Sequence, residues 1–245
     1  MEKNAGLLIR GFTVDISRAA EDYIRRIPAL KGLSSFTFDA PVTFFTGENG
    51  SGKSTLLEGL AEAAGFNPEG GTRNYNFSTY DARSPLADAI RLIRGIRRME
   101  WGYFLRAESF FNVATNEEET ARDGLTVSQE FHRMSHGESF LEAAQTNFRP
   151  NGLYLLDEPE AALSPQRQLT LLAEIHRYAG EGAQFIIVTH SPVLLALPGA
   201  RILTFDGGPL RPCTYEETGS VRVMRMMLDN REALLRHLLS DETEQ

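Results

Sequence analysis

A chain of 245 residues suits one large domain or two small ones, and 42% hydrophobic content is enough for a full core. A net charge of -8 excludes a global attraction to nucleic acid while leaving room for a local basic patch, and the single cysteine, Cys213, excludes an internal disulfide framework and fits a reducing compartment. No apolar run approaches the roughly 20 residues of a membrane span, and the opening MEKNAGLLIRGF lacks the long apolar stretch of a signal peptide, so a cytoplasmic location is expected.

In chain order, LLIRGFTVDI is strand-like, and RAAEDYIRRIPALKGL is mixed, with Pro28 stopping any helix that starts near Ser17. SSFTF alternates and leads through Asp39-Ala40-Pro41 into a second apolar strand holding Val42, Phe44 and Phe45. A glycine-rich turn follows, then Leu56, Leu57, Leu60, Ala61 and Ala64 at helical spacing, with Gly65 suited to a C-terminal cap. FNPEGGTRNYNFSTYDARSP reads as loop with one short strand. Ser84-Pro85 has the form of an N-cap and first residue, and predicts a helix with Leu86, Ala89, Ile90 and Ile93 on its apolar stripe. WGYFLRAESFFNV predicts a strand running into a helix, and NEEETARDG a solvated surface segment.

From Leu153 onward, short apolar runs alternate with helices. LYLLD, QFIIVTH and ILTF read as buried strands. Ser164-Pro165 opens a helix carrying Leu169, Leu172 and Ile175 and closing near Gly180, and PVLLALP is a short helical turn. Residues 228–239 predict an amphipathic helix with Leu234, Leu235, Leu238 and Leu239. This alternation implies an α/β fold with a mostly parallel sheet.

The turn after the second strand carries the chemistry. Gly47-Glu48-Asn49-Gly50-Ser51-Gly52-Lys53-Ser54 fits G-x-x-x-x-G-K-[ST] at every fixed position, and Thr55 continues it into the helix. Glycines let the backbone wrap phosphate oxygens, and the helix N-terminus favours an anion. Lys53 can reach β- and γ-phosphates and the Ser54 hydroxyl can ligate Mg²⁺. The apolar strand 152–156 ends in Asp157, suited to hold Mg²⁺, and Glu158, suited to orient water or take its proton.

With these motifs on the page, the chain resembles the ABC-type ATPases. Met134-Ser135-His136-Gly137-Glu138 is similar to the family's L-S-G-G-Q signature, and Glu158-Pro159-Glu160-Ala161-Ala162-Leu163-Ser164 to the segment after the magnesium aspartate. His190 matches the switch histidine that contacts the γ-phosphate. The resemblance covers roughly residues 6–206. It implies a P-loop NTPase fold of ABC-ATPase type, with an N-terminal antiparallel β subdomain and a helical subdomain at roughly 84–150, all within one nucleotide-binding domain over 1–245. ATP and Mg²⁺ are the implied cofactors. Ser135, His136, Gly137 and Glu138 would bind the γ-phosphate of ATP held by a second copy, giving a head-to-tail dimer with ATP between the subunits. His136 and Glu138 stand where the signature has glycine and glutamine. No glutamine lies between Lys53 and Val127, so Glu108 is the substitute for the family's metal- or water-contacting glutamine, against a plain surface carboxylate. Tyr23 is either the aromatic that stacks on adenine or a core residue.

D-E-P-E-x-x-L-x-P, from Asp157 to Pro165, resembles RecF-, OLD- and SMC-related soluble ATPases more than transporters, which usually read D-E-P-T-x-x-L-D. The stretch Tyr103–Asn112 resembles that of small bacterial ATPases with the AAA/ABC-like engine. The expected function is therefore a soluble ATPase that drives or switches a macromolecular partner, DNA or protein. The alternative is the energy subunit of a membrane transporter, with a membrane partner.

Overall fold

The computed structural model describes residues 6–72, 83–106 and 136–240. Their strands are β1 (Ile9–Val14), β2 (Ser35–Thr37), β3 (Val42–Thr46), β4 (Gly71–Thr72), β5 (Ile90–Arg94), β6 (Trp101–Arg106), β7 (Gly152–Asp157), β8 (Gln184–Val188), β9 (Arg201–Thr204) and β10 (Arg211–Pro212). The helices are α1 (Lys53–Ala64), α2 (His136–Asn147), α3 (Pro165–Gly180), α4 (Pro192–Leu195) and α5 (Gly219–Ser240). The large sheet runs β10-β9-β3-β8-β7-β6-β4. Its five inner strands are parallel, and β10 and β4 flank them antiparallel. β2, β1 and β5 form a separate antiparallel sheet.

Continuous apolar runs belong in this arrangement because both faces of the inner strands are covered. Successive side chains alternate between those faces. Phe45, Leu153, Leu155, Ile186, Val188 and Leu203 join α1 and the small sheet in one core cluster. Phe44, Tyr154, Leu156, Phe185, Ile187 and Ile202 join α3 and α4 in the other. An aromatic group centres the second cluster, with Phe148 4.7 Å from Tyr154 and 5.2 Å from Phe185 between ring centroids. The Tyr154 hydroxyl donates to the Asn147 or Arg149 carbonyl, each 3.1 Å away, and accepts the Arg149 N–H at 2.5 Å, which ties the end of α2 to β7.

The two sheets are joined by a side chain acting as backbone. Gln184, 1% exposed at the start of β8, accepts the Ile9 N–H at 2.8 Å and donates to the Ile9 carbonyl at 2.9 Å. This pair continues hydrogen bonding from β8 to β1 where no strand pairing exists between them.

The sequence expectations hold for α1. Leu56, Leu57, Leu60, Ala61 and Ala64 are fully buried, and Gly65 closes the helix in the left-handed conformation. Ser164 caps α3 and Pro165 is its first residue, but Leu171 and Ile175 face the core and Leu169 is 49% exposed, so the buried face is rotated from the expected stripe. The helix expected from Ser84 is a turn followed by β5. Ser84 is held by the Glu62 carboxylate, and Ile90–Arg94 pairs with β1 instead. Leu86, Ala89 and Ile90 are buried as expected, but Ile93 is 44% exposed on the outer face. Short apolar runs fit either period, and pairing with β1 decides this one. The first part of the 84–150 stretch expected to be helical therefore supplies β5 and β6, and its helix among the described residues is α2. The C-terminal helix starts at Gly219 rather than 228 and kinks at Asn230.

Candidate active site

Strand register brings the motif residues together. Arg106, Asp157, Val188, Phe45 and Leu203 form one row across the carboxyl ends of β6, β7, β8, β3 and β9. The glycine-rich turn, Glu158, His190 and Asp206 all follow within a few residues of that row. Loops at the carboxyl ends of parallel strands are where open α/β sheets bind ligands.

The turn from Gly47 to Gly52 leads into α1 with no side-chain cap. The first helical hydrogen bond runs from Leu56 N–H to the Gly52 carbonyl, so the N–H groups of Lys53, Ser54 and Thr55 have no partner within the helix. Gly52 adopts φ 97° against Ile27, whose Cγ2 would lie 2.7 Å from an added Cβ. A side chain there would be both strained and blocked. Gly47, at φ 143°, faces Asp206 in the same way. Glu48 donates its N–H to the Asp206 carboxylate at 2.7 Å. Asn49 and Gly50 are exposed, and the Ser51 hydroxyl is buried without a hydrogen-bond partner.

Lys53 is 4% exposed, and its ammonium donates to the Gly47 and Glu48 carbonyls at 2.7 and 2.9 Å. Burial holds the ammonium below its ordinary pKa, opposed by Glu158, Asp206, Asp157 and Glu48. The Ser54 hydroxyl donates to Asp157 at 2.9 Å across 103 residues of sequence. Burial pushes the Asp157 carboxyl up to about 6, against the opposing Ser54 hydrogen bond and the Arg106 charge. Arg106 stands 4.0 Å from Asp157 and pairs with Glu58 of α1 at 2.9 Å.

Glu158 has φ 46° and ψ 53°, left-handed for a residue other than glycine. Such a conformation is uncommon and held by its surroundings. It directs the chain into the 3₁₀ turn Pro159–Ala162 and leaves the Glu158 carboxylate 3.6 Å from His190 Nε2. That nitrogen is otherwise buried without a hydrogen-bond partner. Glu160, on the same turn, accepts the backbone N–H of His190 at 2.5 Å and of Ser191 at 3.2 Å. Burial raises its carboxyl, and the His190 N–H opposes that rise.

Tyr23 lies in a 3₁₀ turn, Asp22–Arg26, and is 50% exposed, while Ile24 and Ile27 of the same segment are buried. It is not a core residue. Ser135 and Glu108 lie outside the described residues. His136, Gly137 and Glu138 are the first described residues of α2, and only their backbone is described.

Three groups at this site were not anticipated: Asp206, Glu160 and the Arg106–Glu58 pair. Asp206 ends the apolar run ILTF as Asp157 ends LYLL, so the strand-then-carboxylate pattern that marked one was present for the other. Glu160 and Arg106 had no such signal, because their roles depend on strand order and on a turn.

The AAA domain family matches residues 24–148, just over half the chain, and a second AAA domain family, whose description names the AbiEii toxin and a Type IV TA system, matches 138–196. The cobalt import ATP-binding protein CbiO of Salmonella typhimurium is 30% identical over 215 residues, covering 76% of this chain and 79% of that protein. Human phospholipid-transporting ATPase ABCA7 is 28% identical over 204 residues, and the match spans 76% of this chain but only 9% of ABCA7. Among solved structures, the SMC head domain from Thermotoga maritima matches with TM-score 0.46 and 13% identity, over 85% of this chain and 99% of that one.

Proposed function

The chain belongs to the AAA/ABC-type P-loop ATPases and is an ATPase, and from that premise we propose that ATP is bound and hydrolysed at the carboxyl ends of β3, β7 and β8 to drive or switch a macromolecular partner. The observation that carries the site assignment is the Ser54–Asp157 hydrogen bond beside the uncapped N-terminus of α1. A hydroxyl and a carboxylate are hard oxygen donors, which suits Mg²⁺ held by few protein ligands with phosphate and water completing the shell. When bound there, Mg²⁺ would be held by Ser54 and Asp157 and would supply positive charge against the negative charge of the phosphates.

The turn N–H groups and the first turn of α1 cradle the phosphates, and the buried Ser51 hydroxyl gains a partner. Lys53 exchanges its two carbonyls for phosphate oxygens, whose negative charge offsets the cost of burying its ammonium. Glu158 takes the proton of the attacking water as its oxygen bonds to the γ-phosphorus and the bond to ADP breaks. His190 donates Nε2–H to the γ-phosphate. The half-exposed Tyr23 offers a stacking face to adenine, on a segment whose Ile27 abuts Gly52. His136, Gly137 and Glu138, the first described residues of α2, belong to the stretch that resembles the family signature and would face the γ-phosphate of a second subunit. Glu108 remains the proposed substitute for the missing glutamine.

For the partner, the favoured class is a polyanion, DNA first. β5 is an edge strand, and Arg91, Arg94 and Arg98 are exposed along it and the segment after it. That is a local basic strip on a chain of net charge -8. The transporter reading rests on the named relatives; no described helix is long and apolar enough to cross a membrane. Mg-dependent ATP turnover with and without duplex DNA is the test. Lys53→Ala should lose nucleotide affinity, and Arg91→Glu with Arg94→Glu should lose any stimulation by DNA while keeping basal turnover. Equal ATP affinity in wild type and Lys53→Ala would remove the site assignment, and turnover indifferent to DNA would remove the partner.

A further inference from the structure

His190 is gripped from two directions by one short turn. Glu158 faces its imidazole at 3.6 Å, and Glu160, two residues on, accepts its backbone N–H at 2.5 Å. The same Glu160 oxygen accepts the Ser191 N–H at 3.2 Å. Ser191 in turn donates its hydroxyl to Gln168 Oε1 at 2.6 Å, and Gln168 Nε2 donates to the Leu163 carbonyl at 3.0 Å. Leu163 closes the 3₁₀ turn on which Glu160 sits. The contacts form a circuit from the turn to His190 and Ser191, across to α3, and back to the turn.

We propose that Glu160 is a positioning residue for His190: its carboxylate clamps the 190–191 backbone so that the imidazole stands beside Glu158 and the γ-phosphate position. This rests on the reading of His190 given above and extends it to a residue that touches no substrate. A charged acceptor on two backbone N–H groups makes stronger hydrogen bonds than a neutral one, so the clamp is stiff. The left-handed Glu158 and the following Pro159 fix the direction in which Glu160 leaves the strand. The position is the fourth of D-E-P-E, where transporters usually carry threonine. A threonine hydroxyl is shorter by two atoms and carries no charge, so it could not reproduce this grip of one oxygen on two N–H groups. The clamp gives a physical content to that difference in spelling.

The test is a double-mutant cycle in the full chain, with kcat and ATP affinity measured for Glu160→Ala, Glu160→Gln, His190→Ala and Glu160→Ala/His190→Ala, beside hydrogen exchange of the 190 and 191 amides. Glu160→Ala should lower kcat by roughly tenfold to a hundredfold, the scale of a misplaced catalytic group, with ATP affinity unchanged. Glu160→Gln, which keeps an acceptor oxygen, should recover most of that loss. The double variant should match His190→Ala alone, because Glu160 acts only through His190. Amide exchange at 190 and 191 should accelerate in Glu160→Ala. An inactive His190→Ala beside a fully active Glu160→Ala, or losses that simply add, overturns the proposal. If His190→Ala itself kept full turnover, the reading of His190 would fall, and the exchange rates alone would decide whether the clamp exists: unchanged rates in Glu160→Ala would refute it.

Discussion

Asp157 serves two opposing demands. As a ligand it must be ionised, yet burial raises its carboxyl from 3.8 to about 6 in the metal-free chain. The sign follows from linkage. A carboxyl whose folded value is raised binds more protons folded than unfolded between the two values, so it costs stability as pH climbs through that window and the cost levels off above it. At about pH 7 the cost is on the order of 3 kcal/mol. Asp157→Asn keeps an acceptor for Ser54 and removes the charge, so in EDTA it should be more stable than wild type near neutrality and should lose the decline between about pH 4 and pH 6. Urea unfolding across that range checks both. A wild-type decline that persists in Asp157→Asn would place its cause elsewhere. The arrangement stores a preference for a cation: whatever neutralises Asp157 recovers what burial costs it.

Single elements decide how far the sheet can transmit such local effects. Gln184 is the side-chain bridge between the parallel sheet and β1, and replacing it with leucine strands one buried N–H and one buried carbonyl of Ile9. Unmade buried hydrogen bonds cost about 1–3 kcal/mol per group, so Gln184→Leu should lose about 2–6 kcal/mol. Glu at this position keeps the acceptor but at neutral pH buries a carboxylate against the Ile9 carbonyl. It should lose at least as much there and recover at low pH, where the protonated acid can donate to that carbonyl. Equilibrium unfolding of both variants against pH distinguishes the bridge from mere packing, since leucine fills nearly the same space. None of this bridge was legible in QFIIVTH, where Gln184 reads as the polar start of an apolar strand. The strands themselves were legible, because their runs are apolar on both faces and bounded by turns. α1 was legible for the same reason, with period 3.6 and a glycine at its end. The stretch after Ser84 was not, because Leu86, Ala89 and Ile90 satisfy a helical stripe and a turn-plus-strand equally, and only the open edge of β1 chooses. The phosphate turn, Asp157 and His190 were legible as motifs. Asp206 carried the same strand-then-carboxylate pattern as Asp157, whereas Glu160 and Arg106 became visible only when strand order and the turn set them beside those motifs.

At the scale of the whole molecule, the proposed site predicts a second copy of the chain that completes it. His136, Gly137 and Glu138, the first described residues of α2, match the signature segment by sequence. If they bind the γ-phosphate held by a second copy, two-fold symmetry gives two identical sites per interface. ATP is then the adhesive, and hydrolysis removes the charge that joins the halves. Glu158→Gln keeps the side-chain size and removes the carboxylate that takes the proton from water. It should bind ATP, fail to hydrolyse it, and accumulate as a dimer, whereas with ADP it should remain a monomer. Light scattering after size-exclusion chromatography reads the mass directly. Wild type with ATP should pass through the dimer only transiently, so its average mass should fall as ADP builds up. A Glu158→Gln protein that binds ATP tightly yet runs as a monomer at micromolar concentration would end the two-subunit reading. It would leave each chain to complete its own site by other means.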